Sequence, residues 1–92
     1  MAYTSPIFGT SPSEADWAYG EVRKAFESDY RVKHGDRKFR LSSRGIVLQQ
    51  MFPNGWVNLM TGHSDGMDRL RMLVKSKGTA GHVFRWVLRF EV

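Results

Sequence analysis

Arginine is the residue type on which the chemistry of this chain turns. The run His82-Val83-Phe84-Arg85-Trp86-Val87-Leu88-Arg89-Phe90-Glu91-Val92 puts Phe84, Trp86, Leu88, Phe90 and Val92 on one parity, and Arg85, Val87, Arg89 and Glu91 on the other. Successive side chains of a strand point to opposite faces, so this run predicts a half-buried strand with two arginines turned outward. Arg37 to Ser43 alternates likewise, with Phe39 and Leu41 inward and Lys38 and Arg40 outward. Met67 to Lys77, read as a strand, adds Arg69 and Arg71, and the basic stretch Arg31 to Asp36 adds Arg31 and Lys33. The planar guanidinium fork matches phosphate and carboxylate oxygens. These eight cations form the candidate binding set, a face drawn to RNA, DNA or an acidic protein surface with strong salt dependence. The plainer reading is a solvated surface. Trp17 joins the set because it falls outside the apolar stripe of its predicted helix, where a large aromatic often marks a contact; the alternative is that it folds under the N-terminal arm.

The residues that usually carry catalysis are sparse. His34, His63 and His82 stand in separate turns or strand edges, none with a second histidine or a carboxylate at helical metal-ligand spacing. His63-Ser64-Asp65 sets three catalytic residue types side by side, but a triad is assembled from separate segments, and a solvated turn is the better reading. Gly62, Gly66, Gly78 and Gly81 do not reproduce a phosphate-loop spacing. There is no cysteine, which removes disulfides and thiolate metal sites. Met51, Met60, Met67 and Met72 read as adaptable core filler. No catalytic residue, cofactor, metal or small-molecule substrate is expected.

The elements that must position the arginines follow from periodicity. The 92 residues make one domain. Residues 1–10 read as an arm with Ile7 and Phe8 as anchors. Ser11-Pro12-Ser13-Glu14 is a helix start with a cap, a proline at the first position and a capping-box acid. Ala15, Ala18, Tyr19, Val22, Ala25, Phe26 and Tyr30 then recur at steps of three and four, predicting an amphipathic helix over 11–30. Ile46 to Phe52 and Trp56 to Met60 are strands joined by Pro53-Asn54-Gly55, a strong hairpin signal. Thr61 to Gly66 reads as a loop. Met67 to Lys77 fits two templates. As a helix, Met67, Leu70, Leu73 and Val74 share a face; as a strand, Leu70, Met72 and Val74 alternate with Arg69, Arg71 and Leu73. The strand is preferred, because a short loop would pair it with the C-terminal strand. The fold class is α+β: one amphipathic N-terminal helix packed on an antiparallel sheet of four or five strands drawn from 37–92.

Charge follows the same division. Residues 1–30 hold Arg23 and Lys24 against five acids, whereas 31–92 hold twelve basic and four acidic groups, within a net charge of +5. An acidic helix opposed to a basic sheet gives the molecule a dipole. No stretch is apolar enough to span a membrane, and Met1 to Pro6 has neither the basic nor the apolar region of a signal peptide. A cytoplasmic monomer is expected. The inward aromatics leave no RNP-like pattern on the outward parity, which argues against sequence-specific RNA readout.

In length, in the opening MAYTSPIFGTSPSEADWAYGEVRK and in the closing GHVFRWVLRFEV, the chain resembles the small phage-encoded anti-CRISPR proteins directed at the type I-F (Csy) surveillance complex. That group shares no common motif, so no site residue transfers. The resemblance implies a non-enzymatic inhibitor in the host bacterial cytoplasm. It would bind protein subunits of the complex, with guide RNA as a further contact, and block target DNA binding or hybridisation. Because the chain is basic, direct cover of guide RNA or of a DNA-binding surface is expected rather than DNA mimicry. The rival expectation is a free-standing basic RNA- or DNA-binding module of a phage or bacterium.

Overall fold

A computed structural model of the chain describes residues 2–35, 41–75 and 81–89. In chain order the elements are β1 (Ala2–Thr4), α1 (Pro12–His34), a 3-10 turn (Ser43–Gly45), β2 (Ile46–Phe52), β3 (Gly55–Thr61), α2 (His63–Lys75) and β4 (Phe84–Arg89). The strands form one sheet in the order β1-β4-β2-β3, with every neighbouring pair antiparallel. The α+β class and the N-terminal helix on an antiparallel sheet are as the sequence indicates. No helix among the described residues is long and apolar enough to cross a membrane.

The parity of the C-terminal strand organises the core. Phe84, Trp86 and Leu88 are fully buried together with Leu48 of β2, and Ile46 is buried beside them. They meet Ala15, Ala18, Val22 and Phe26 of α1 and Met67 and Leu70 of α2 in one cluster. Both helices therefore cover the same sheet face. Trp86 ties the layers together. Its indole N–H donates to the Ala15 carbonyl at 2.9 Å, and its backbone N–H donates to Ser5 Oγ at 2.8 Å. Gly66 of α2 lies so close to the ring that a Cβ there would stand 2.6 Å from it.

α1 begins as predicted. Ser11 Oγ accepts from the Glu14 N–H at 3.4 Å, with Pro12 at the first position. The acid does not close a capping box; its carboxylate instead accepts from the Gly9 N–H at 3.4 Å. Of the predicted stripe, Ala25 is exposed. The helix also runs past Tyr30, where it was expected to end, into the basic stretch as far as His34. Arg31, Lys33 and His34 fill its last turn, where cations suit the negative end of the dipole. Gly35, at φ 64°, then ends it, its N–H donating to the Arg31 carbonyl at 2.8 Å.

Three further expectations are corrected. First, residues 67–75 are not a strand, and 76–77 lie outside the described residues. Met67 to Lys75 belongs to α2, which opens at His63 where a loop was expected, and the sheet is therefore not the whole of 37–92. The strand reading fails on burial: Met72 and Val74 are 63% and 43% exposed, while Met67 and Leu70 are buried. Topology gives the reason. β3 and β4 are both antiparallel to β2 and so run the same way, and a connection between like-directed strands needs a crossover, commonly a helix. Second, the fourth strand comes from the expected arm. Ala2–Thr4 pairs with Leu88 and its neighbours on β4, and Phe8 is buried beside Phe84 while Ile7 stays exposed. β4 is thus inserted between β1 and β2 rather than paired with the segment from Met67. Third, of the strand expected over Arg37 to Ser43, Leu41 and Ser42 are not strand and Ser43 opens the 3-10 turn; residues 36–40 lie outside the described residues.

Candidate functional site

The sheet face turned away from the helices is fixed by register. β2 pairs Gln49 with Arg85 on one side and with Asn58 on the other. The same face carries Val47 and Val87, which pair with each other, Thr4 and Thr61 at their flanks, and Met51 opposite Trp56. Val47 and Val87 are 3% exposed and lie outside the helix-side core cluster. Arg89 extends the face beside Ala2.

A polar row crosses three strands here. Arg85 Nε donates to Gln49 Oε1 at 2.8 Å, and Gln49 Nε2 donates to Asn58 Oδ1 at 2.8 Å. The direction of this row is dictated by its first member. Arginine can only donate, so Gln49 must offer Arg85 its oxygen and present its amide nitrogen to Asn58. The Arg85 guanidinium also lies over the Trp56 ring, 4.2 Å from its centroid, a cation–π contact that flattens the arginine along the sheet.

Acidic charge is confined to one layer. Every acidic residue among the described residues lies on α1 or α2, and the strands carry no charge other than Arg85 and Arg89. The face chemically suits groups rich in acceptor oxygens.

The predicted binding residues are scattered more widely than expected. Arg85 and Arg89 stand on the outward face, as their parity indicated. Arg69 and Arg71 do not join them, because α2 carries both into the helical layer, where Arg71 pairs with Asp68 at 3.1 Å. Arg31 and Lys33 are exposed in the last turn of α1. Lys38 and Arg40 lie outside the described residues. Trp17 is 57% exposed on α1. Sequence reasoning missed Trp56, Gln49 and Asn58. Trp56 and Asn58 share a parity just after the Pro53-Asn54-Gly55 turn, which was a usable signal. The next residue of that parity, Met60, is returned to the helix side by the register shift between Leu48 and Gln49, where it pairs with Leu48.

A cleft of about 400 Å3 opens between the starts of the helices and is lined by Asp16, His63, Ser64 and Asp68 among others. The His63 ring lies 4.1 Å from the Tyr19 ring centroid, and its Nε2 is 3.6 Å from the Asp16 carboxylate. His63, Ser64 and Asp65 are successive residues at the start of α2, not an isolated turn. Among the described residues no group of three or more histidines and carboxylates is placed to hold a metal ion. No protein-family model matches the chain, and no curated protein or solved structure is significantly similar to it.

Proposed function

We propose that the protein is a non-enzymatic inhibitor that binds a nucleic-acid-containing assembly through the outward face of its sheet. The resemblance of its two ends to the type I-F anti-CRISPR proteins names the assembly: the surveillance complex, with its protein subunits and guide RNA. Bound there, in the bacterial cytoplasm, the protein occupies surface that target DNA needs. The observation that carries this reading is the charge distribution, with Arg85 and Arg89 as the sole charges on the strands and the described acids confined to the helices. A cationic face of this kind is attracted to phosphate-lined surfaces.

The test is direct. Type I-F complex loaded with guide RNA is mixed with the protein, and binding of target duplex is followed by gel shift. Stoichiometric loss of target binding, with co-purification of the protein, is the expected result. Full target binding at saturating protein sinks the inhibitor reading. The rival reading, a free-standing nucleic-acid module, draws support from the Arg85–Trp56 contact, which resembles the aromatic and cationic platforms that hold naked single strands. Tight, steeply salt-dependent binding to naked RNA, without effect on the complex, favours it.

A further inference from the structure

The row Arg85–Gln49–Asn58 is polarised, and its polarity specifies a ligand. Gln49 is buried and engaged at both ends: its oxygen accepts from Arg85 and its nitrogen donates to Asn58. Asn58 accepts through its oxygen, which leaves both N–H groups of its amide unengaged among the described residues. Among the described residues Arg85 Nη1 and Nη2 have no hydrogen-bond partner either, and neither is a buried unsatisfied atom. Arg85 therefore presents donors alone, and Asn58 presents both N–H groups of its amide beside one open lone pair of its oxygen. A ligand that fits must bring acceptors, and the absence of carboxylates on the described strands adds that it should be anionic.

The planar groups narrow the class. The Arg85 guanidinium is stacked on the half-buried Trp56 ring at 4.2 Å, so a flat cation and a flat aromatic lie together at one corner of a broad sheet. Bases stack on guanidinium planes and aromatic rings when they are not already stacked in a duplex. A duplex, by contrast, is read by a helix or narrow ribbon inserted into its major groove, which a four-stranded face does not supply. Arg89 lies four residues along the same strand, about 13 Å away at the usual rise per residue, and extends the cationic track.

We infer that this corner of the sheet is a subsite for single-stranded nucleic acid, with a phosphate on the donors of Asn58 and Arg85 and a base against the Arg85–Trp56 pair. The inference rests on the proposed function above and deepens it: in the surveillance complex the occupant is exposed guide RNA.

Fluorescence anisotropy with a short labelled single-stranded uridine oligonucleotide tests it, beside a duplex DNA and a labelled polyglutamate as competitors for the same face. Asn58→Asp keeps the shape of the side chain but replaces the outward donor with an acceptor and a negative charge. Trp56→Leu removes the stacking surface. Each should weaken oligonucleotide binding by about tenfold or more, with circular dichroism unchanged, while Lys24→Gln on α1 has no effect. The wild type should prefer the single strand to duplex and polyglutamate. Wild-type affinity in both Asn58→Asp and Trp56→Leu overturns the subsite. If the double charge reversal at Arg85 and Arg89 still abolishes binding in that case, the basic-face reading survives it. Preference for polyglutamate overturns the ligand class. Failure of the wild type to bind either the oligonucleotide or the surveillance complex overturns the proposed function as well.

Discussion

Trp86 shows how one side chain can hold two layers together. It is fully buried, hydrogen-bonded to the backbone of α1 and pressed against the backbone of α2. Trp86→Ala should cost about 3–5 kcal/mol, as large-to-small core changes do, read as a lower midpoint in urea unfolding. Trp86→Phe keeps much of the apolar volume but leaves the Ala15 carbonyl without the indole donor, and should cost less. A Trp86→Ala protein as stable as wild type would invert the assignment of faces. Tyr3 offers a different handle. Its hydroxyl donates to the Asp29 carboxylate, and that bond, then burial, then the negative charge of Asp29 push the phenol up to about 12 from its usual value near 10. The neutral phenol is thus favoured in the folded state. Its contribution to stability is complete below pH 10 and is lost as pH rises through about 12. Melting temperatures from pH 8 upward should fall more steeply for wild type than for Tyr3→Phe, because the shared titration of other groups cancels in the comparison. Parallel curves would show that the Tyr3–Asp29 bond does not couple to folding.

At the scale of elements, two glycines on the two helices separate propensity from packing. An alanine at Gly20 of α1 would meet nothing within 4 Å, so Gly20→Ala should stabilise by up to about 1 kcal/mol through helix propensity alone. At Gly66 of α2 the same gain is opposed by ring atoms at 2.6 and 2.7 Å that belong to the fully buried Trp86. Overpacking of this kind costs about 1–3 kcal/mol, so Gly66→Ala should destabilise. Thermal melts of the two variants should move in opposite directions, and a stabilised Gly66→Ala would mean that α2 packs elsewhere. The two helices differ equally in how readable they are. α1 announces itself through Ser11, Pro12 and an apolar stripe, and the hairpin through Pro53-Asn54-Gly55, because those signals are local. α2 satisfies helix and strand periods alike, and its state is decided by strand direction at β4, which is not a local property. β1 is three residues long and too short to carry a period. The site shows the same division. Arg85 and Arg89 are legible from parity, whereas the row through Gln49 and Asn58 depends on which strands become neighbours and on a register shift after Leu48.

At the scale of the whole molecule, the two layers differ in charge as well as in structure. The helices carry mixed charge with local pairs such as Arg23–Glu27 and Arg71–Asp68, while the described strands are uncharged apart from two arginines. Exposed pairs contribute little to stability, so this arrangement matters for approach to a partner more than for folding. Reversing Arg85 and Arg89 to glutamate removes the cationic face. The fold should survive, because the Gln49 and Asn58 amides can both turn over, so that Gln49 donates to the new carboxylate and Asn58 donates to Gln49. Binding should not survive. The slope of log affinity against log salt should shrink by about 0.7 for each phosphate of a single strand that the protein no longer neutralises, and inhibition of target binding by the surveillance complex should disappear. Reversal of Arg69 and Arg71 is the matched control: it changes net charge by the same amount but acts in the helical layer, and should leave most of the affinity in place. Equal weakening by the two double reversals would mean that the partner senses overall charge rather than the sheet face, and the assignment of that face as the interface would fall.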